Sequence, residues 1–274
     1  HELDRALLEC RPLIGVLTDH VHTPRAIAKR MMEYHLDKDY TMRVAEHLGN
    51  PKKEKIYNIY SIEEISEMSF SCPNCVLLMK APNSTQQRPA LGIPDTKFVL
   101  LNDRAKMITK APIRVIDLSL LELHTSRTFW DIGACTGSVS IEARRQYPHL
   151  NIQAFEVREE CKDIIRANAR LQSAPGIDLH IGNFLNLPIA EDAIVDAVFI
   201  GGHGGKLKEI ICKVASHLDK LKGKIVFNSV SEESNKLFRE AVEENDLKLH
   251  SEMNITVDTN NPITILCATG KYHV

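Results

Sequence analysis

No apolar run in the 274-residue chain approaches the roughly 20 residues that cross a bilayer, so no membrane-spanning helix is expected. An excess of one charge is missing too. The 34 Lys and Arg stand against 36 Asp and Glu, which gives no electrostatic reason to expect DNA or bulk RNA as a partner. The opening HELDRALLECRP lacks the basic-then-apolar pattern of a secretory leader. Cysteine lacks a pairing pattern: Cys10, Cys72, Cys75, Cys135, Cys161, Cys212 and Cys267 are odd in number and scattered. That suits free thiols in a reducing cytoplasm. CPNC at Cys72–Cys75 has zinc or redox spacing, yet no second pair or nearby His completes a ligand set, so no metal is expected. Repeats and low-complexity tracts are absent. What remains is an ordinary globular composition, 43% hydrophobic and 26% charged, in a chain comfortable for two domains.

Two compositional segments follow. In the first, LIGVLT, YTMRVAEHLG and CVLLMK read as strands. They alternate with a helix opening near Thr23-Pro24 and another, SIEEISEM, capped by Ser61. APNSTQQRPALGIP, residues 81–94, is polar, proline-bearing and aperiodic, which predicts a linker between a domain over 1–80 and one over 95–274. The second segment alternates strand and helix more strictly. TFWDIG, IQAFEV, DLHIGN, VDAVFIGG and KIVFNSV are its strands, and KLHSEMNITVD and PITILCATG close it as a hairpin. In the helix CKDIIRANARL, Cys161, Ile164, Ile165, Asn168 and Leu171 share helical spacing, with the apolar members facing the sheet. The expected fold class is α/β, a doubly wound and mostly parallel sheet with an antiparallel last strand.

The stretch FWDIGACTGSVSIEARRQY is a strand that breaks on small residues and becomes a helix. A phosphate-binding loop would need Gly-Lys-Ser/Thr, and Gly137 is followed by Ser138 and Val139. The dinucleotide spacing fails as well, because Cys135 stands between Gly133 and Gly137. Asp-x-Gly-x-x-x-Gly remains, with Asp131 at the strand end to help hold an ammonium group. The next strand ends in Glu156, where a carboxylate suits two ribose hydroxyls. The third ends in IGNF, where Asn183 and Phe184 offer an amide and a ring to the edge and face of adenine. Three strand ends in this order describe adenosine plus an amino acid, hence S-adenosylmethionine (SAM) as cofactor.

With those motifs in view, the chain resembles a known family. MITKAPIR, WDIGACTGSVSIEA, AFEV and VFIGGHGGKLKEII are similar to the decarboxylating precorrin methyltransferases of cobalamin biosynthesis, which act on carbon 15 of the corrin precursor. GVLTDHVHTPRAIAKRMME and VAEHLGNPKKEKI resemble the rear half of the precorrin C5-methyltransferases, a different SAM-dependent fold of the tetrapyrrole methylase type. Fused in this order they resemble the bifunctional precorrin-6Y C5,15-methyltransferase (decarboxylating) family. The likeness covers nearly the whole chain. It implies a class I SAM-methyltransferase domain of Rossmann-like form, a precorrin substrate and a homotetramer. It also implies that Thr109, Gly133, Ala134, Cys135, Thr136, Gly137, Glu156 and Phe184 contact SAM.

Three departures from the family pattern stand out. Nothing of the C5 module's nucleotide-handling subdomain precedes His1, so residues 1–80 are expected to be unable to methylate alone. Cys135 replaces a glycine common in the family, and Pro112 stands where an acidic residue is common.

Decarboxylation of a ring acetate calls for a proton donor near the macrocycle. His203, inside GGHGG, is the candidate, with a solvent-facing turn residue as the plainer alternative. Gly201, Gly202, Gly204 and Gly205 leave room for a flat macrocycle. Lys110, Arg114, Lys206 and Lys208 are candidates to pair with its carboxylates. Two other readings stay open: a methyltransferase for RNA or protein, and a non-catalytic assembly module. The first lacks the Asn/Asp-Pro-Pro-aromatic element common in enzymes that methylate nucleic-acid amino groups.

Overall fold

In the computed structural model, which describes residues 2–58, 61–82, 84, 90–104, 107–258 and 261–272, the chain divides into two compact units. Residues 1–89 with 169–175 form one, and residues 90–168 with 176–274 the other.

The first unit is a four-stranded antiparallel sheet with helices. Its elements in order are α1 (Glu2–Leu8), β1 (Leu13–Leu17), α2 (Pro24–Glu33), β2 (Tyr40–Glu46), β3 (Lys55–Tyr57), α3 (Ile62–Glu67) and β4 (Asn74–Lys80). The strands lie in the order β1-β4-β2-β3. Thr23 starts α2 as expected: its hydroxyl accepts the Ala26 N–H at 3.2 Å, and Pro24 takes the first turn. Ser61 and Glu64 form a reciprocal capping box on α3. Along β2 the residues alternate, with Tyr40, Met42 and Val44 buried against Ile27, Met31 and Ile65. Neither α1 nor β3 was anticipated, because seven and three residues are too short to display a period.

The second unit begins with α4 (Ala111–Leu120) and alternates through β5 (Thr128–Ile132), α5 (Ser138–Gln146), β6 (Asn151–Glu156), α6 (Cys161–Leu171) and β7 (Ile177–Ile181). It continues with β8 (Ala197–Ile200), α7 (Leu207–His217), β9 (Lys224–Ser229), α8 (Glu232–Glu244), β10 (Lys248–Ile255) and β11 (Ile263–Thr269). The sheet order is β10-β11-β9-β8-β5-β6-β7. β7, β6, β5, β8 and β9 are mutually parallel, and β11 runs antiparallel to both its neighbours. This is the doubly wound sheet with the expected hairpin finish. Both faces are covered, so successive side chains of one strand enter different cores. Trp130 and Ile132 pack with Val198, Ile211 and Phe238, whereas Phe129 packs with Ile113, Val139 and Phe199. All five parallel strands therefore deliver their carboxyl ends to one edge, where ligands of such sheets bind.

Two expectations need correction. Part of the predicted linker, residues 83 and 85–89, lies outside the described residues, but its end is not free chain. The N–H groups of Gly92 and Ile93 donate to Glu142 of α5 at 2.6 and 3.1 Å, which fastens this stretch to the second unit. Leu171 is 56% exposed, while Asn168 on the same helix is fully buried. The polar residue turns inward because it has main-chain partners there.

Candidate functional site

The bend after β5 is built by main-chain bonds. The N–H groups of Gly133 and Ala134 both donate to the Phe155 carbonyl, at 2.8 and 3.1 Å, and Gly137 donates to Ala134 at 2.8 Å. Gly133, Cys135 and Gly137 all have positive φ, with Cys135 at 52°. The glycine at 133 answers to the protein itself. A Cβ there would lie 2.5 Å from the Gly202 nitrogen and 2.6 Å from its oxygen. So the turn after β5 and the turn after β8 touch backbone to backbone. At Gly137 a Cβ would approach Ile165 to 3.0 Å. Neighbouring protein atoms alone therefore favour glycine at both positions.

Asp131, just before the turn, is 1% exposed. Its Oδ2 accepts the Ser140 N–H and hydroxyl, while Oδ1 has no partner among the described residues. Burial pushes its carboxyl up to about 6, partly countered by the Ser140 bonds. Thr136 is buried with its Oγ1 likewise unpartnered among the described residues, and its carbonyl accepts Asn168 Nδ2 at 2.9 Å. The same Asn168 pairs with both the N–H and the carbonyl of Val99, at 2.7 and 3.0 Å. Asn168 thus positions the glycine turn, a role the helical spacing alone did not reveal.

Glu156 ends β6 with its side chain 1% exposed. Burial opposes its ionisation, but the Arg158 side chain and the N–H groups of Arg158 and Cys135 outweigh that and hold its carboxyl below the usual range. The Cys135 N–H donates to Oε2 at 2.8 Å, so the glycine turn and the β6 carboxylate are joined directly. Cys135 and Cys161 pack together in a small buried cluster, and burial raises both thiols, Cys161 to about 12. They are inert packing groups at neutral pH.

Beyond β7, Asn183 lies at the surface with Oδ1 accepting the Leu185 N–H at 3.1 Å. Phe184 departs from expectation. Its ring is enclosed edge-on by Trp130 and Phe155 at centroid distances of 6.0 and 5.0 Å. The Lys213 ammonium lies 5.0 Å above it. The ring is only 5% exposed and packs as a core side chain. Lys213, not singled out from the sequence, donates to the carbonyls of Phe184, Leu185 and Leu187 at 2.8, 3.2 and 2.8 Å and staples that loop.

Arg114 departs from expectation as well. It is fully buried, with Nε on Glu142 at 3.2 Å and Nη1 on Asp95 at 2.8 Å. Its remaining bonds go to the carbonyls of Thr109 and Ile93. Four of its five N–H donors serve the protein, and its full burial keeps the guanidinium from a substrate carboxylate. Lys110, half-buried, precedes α4 and lies 3.6 Å from Asp95. Thr109 is half-buried beside it. Lys206 pairs with Glu209, and Lys208 with Glu240 and Glu244, as solvated surface pairs.

On the turn after β8, a Cβ at Gly201 would meet Phe199 at 3.1 Å, whereas those at Gly202, Gly204 and Gly205 point into open space or ordinary contact. His203 is half-buried, its ring edge-on to Phe227 at 5.7 Å. The Gly205 N–H donates to its Nδ1 at 3.2 Å, which assigns the proton of the neutral ring to Nε2. Burial lowers its pKa, so the imidazolium expected near neutrality is disfavoured and the group is a neutral N–H donor.

One polar pair near this edge escaped sequence reading. Asp117 on α4 is buried, and its Oδ2 accepts Asn228 Nδ2 of β9 at 2.8 Å. Among the described residues, Asp117 Oδ1 and Asn228 Oδ1 both lack a donor. Burial pushes the Asp117 carboxyl up to about 8. A proton on Oδ1, shared with Asn228 Oδ1, would satisfy both oxygens at once.

The arrangement suits a nucleoside joined to an amino acid at two strand ends: an acidic acceptor after β6, and a tight turn after β5 lined by the unpartnered oxygens of Asp131 and Thr136. Comparison with known proteins is consistent with this. The family model described as precorrin methyltransferase domain matches residues 101–266. The chain is 35% identical over 127 residues to a cobalt-precorrin-6B C(15)-methyltransferase (decarboxylating) of Salmonella typhimurium, covering 46% of this chain and 64% of that protein. It is 25% identical over 226 residues to a decarboxylating precorrin-6Y C(5,15)-methyltransferase of Mycobacterium tuberculosis, covering 80% of this chain and 53% of that protein. The chain therefore spans less than two thirds of the length of either relative. Among solved structures, a precorrin-6Y C5,15-methyltransferase of Geobacter metallireducens superposes with a TM-score of 0.60 at 32% identity, covering 67% of this chain and all of that one.

Proposed function

The chain belongs to the precorrin methyltransferase domain family, and from that premise we propose that it transfers a methyl group from SAM to carbon 15 of a precorrin macrocycle while the ring C acetate loses carbon dioxide. The observation that carries this reading is the extent of the family match. Apart from 169–175, residues 101–266 lie within the second unit, and they include every carboxyl-edge turn described above.

SAM supplies an electrophilic methyl group when bound. The meso carbon of a reduced tetrapyrrole is enamine-like and nucleophilic without a strong base, so the protein's work is alignment. Glu156 accepts the ribose hydroxyls, and the turn from Gly133 to Gly137 with Asp131 receives the amino-acid end. Asn183 borders the base, and the enclosed ring of Phe184 supports that loop from beneath. On the acceptor side, Gly202, Gly204 and Gly205 present bare backbone to a flat substrate. Lys110, half-buried before α4, is the basic residue assigned on this reading to a peripheral carboxylate. His203 Nε2–H donates a hydrogen bond to charge developing as carbon dioxide leaves; the electron sink is the substrate's own pyrroline. Residues 1–80 correspond on this reading to the rear part of a precorrin C5-methylating module, and carbon 5 is the second target of the complete bifunctional enzyme.

The test is mass spectrometry of the macrocycle after incubation of the full chain with SAM and the precorrin. Gain of one methyl with loss of carbon dioxide is expected. Methyl gain alone would remove the decarboxylase half. An untouched macrocycle beside methylated RNA or protein would replace the substrate class.

A further inference from the structure

Glu156 is saturated by protein donors. Its Oε2 accepts the Cys135 N–H at 2.8 Å and Arg158 Nη2 at 3.0 Å. Its Oε1 accepts the Arg158 N–H at 3.0 Å and Arg158 Nε at 2.9 Å. A carboxylate offers about four acceptor sites, so all are taken. The two main-chain donors are fixed by the turn after β5 and by the end of β6. The other two belong to one guanidinium whose side chain is 31% exposed and stands at the start of the connection to α6. A ribose diol needs two acceptor sites on this carboxylate, and only those held by Arg158 can be vacated.

We infer that Arg158 is a gate on the ribose subsite: the cofactor's diol displaces the guanidinium from Glu156, and Arg158 thereby tunes how strongly the two hydroxyls are recognised. The inference rests on the proposed reading of Glu156 as the ribose acceptor. Its physical content is an exchange of like for like. Charge-assisted bonds to Glu156 are broken and remade, and the departing guanidinium passes into water, where an arginine is stable. With Arg158 present, the net benefit of the diol is small, because losing a hydroxyl lets the guanidinium return. With Arg158 absent, the diol alone satisfies the carboxylate and its loss is costly. Arg158 is a positioning residue in this account and takes no part in methyl transfer.

The full chain would be titrated by calorimetry with S-adenosylhomocysteine and with its 2′-deoxy counterpart, as wild type, Arg158→Ala and Arg158→Lys. Arg158→Ala is expected to bind S-adenosylhomocysteine about tenfold more tightly than wild type. The penalty for the missing hydroxyl should grow from about threefold in wild type to about thirtyfold in Arg158→Ala. Arg158→Lys, which keeps the charge but not the fork, should fall between the two; it carries the test if the alanine variant loses its far-ultraviolet circular dichroism. Equal affinities and equal penalties in all three proteins overturn the gate, as does weaker binding by Arg158→Ala. If wild type binds neither compound, the reading of Glu156 fails and the gate fails with it, a result distinct from tight binding that ignores Arg158.

Discussion

Replacing Asp117 by asparagine should make the second unit more stable near neutral pH, and the size of the gain can be worked out. The unfolded-state carboxyl titrates near 3.9, while burial raises the folded-state value to about 8. Below pH 4 the side chain is protonated in both states. Between pH 4 and 8 the unfolded chain ionises and the folded chain does not, so stability falls as pH rises through that window. At about 1.4 kcal/mol per pH unit, wild type gives up roughly 4 kcal/mol from this one group by pH 7. The Asp117→Asn variant carries no such linkage. Its new amide can also accept from Asn228 Nδ2 and donate to Asn228 Oδ1, the oxygen that lacks a donor. The expected gain at pH 7 is about 2–4 kcal/mol, the lower figure allowing for imperfect pairing. Trp130 is the sole tryptophan and is buried in this unit, so its fluorescence during urea unfolding reports the right region. Midpoints should coincide near pH 4 and diverge by pH 8. Parallel profiles, or a variant weaker than wild type at every pH, would show that Asp117 is ionised in the folded protein and the argument is wrong.

Gly133→Ala should cost about 2–5 kcal/mol, from left-handed strain plus overlap with the Gly202 main chain; an unchanged melting temperature would deny that contact. His203→Ala should slow carbon dioxide release by roughly 10- to 100-fold, the worth of one hydrogen bond to a developing charge. With its pKa lowered by burial, His203 is neutral above pH 6.5, so the wild-type rate should stay level from there to pH 8. A rate falling with rising pH through 6.5 would instead make the imidazolium the active form. A piece beginning at residue 90 should unfold at higher urea than one beginning at residue 95, by roughly 2–4 kcal/mol, since the latter lacks the Gly92 and Ile93 partners of Glu142 and Arg114; equal midpoints would demote that tether.

The sheet could be read from the sequence because its strands are apolar runs separated by helices of clear period, and the parallel order follows from that alternation. Glu156 was legible for the same reason, as an acid at a strand end. Its capture by Arg158 was not, since two nearby charges in a line of text do not say whether they fold onto each other. Arg114 and Glu142 lie on successive helices with a strand between them, and nothing local distinguishes a buried arginine from a surface one. Phe184 follows a strand by three residues, where no period says which way a ring turns. Asp117 had a signal that went unused: it is an acid among Ile113, Ile116 and Leu118 in a helix whose apolar stripe faces the sheet. Gly133 stood out in the sequence, but the atoms that demand glycine there belong to Gly202, some seventy positions away.

That contact is lopsided. A methyl at 133 would strike main-chain atoms, which no compensating side-chain change elsewhere can move aside, whereas a methyl at 202 would stand 4.0 Å from its nearest neighbour. Mutation can therefore explore one side of the join and not the other. Over evolutionary time, the turn after β8 is free to acquire a side chain at 202, which on the proposed reading is the wall facing the acceptor. The bend after β5 permits no such drift, and any lineage that loses glycine at 133 must rebuild both turns together.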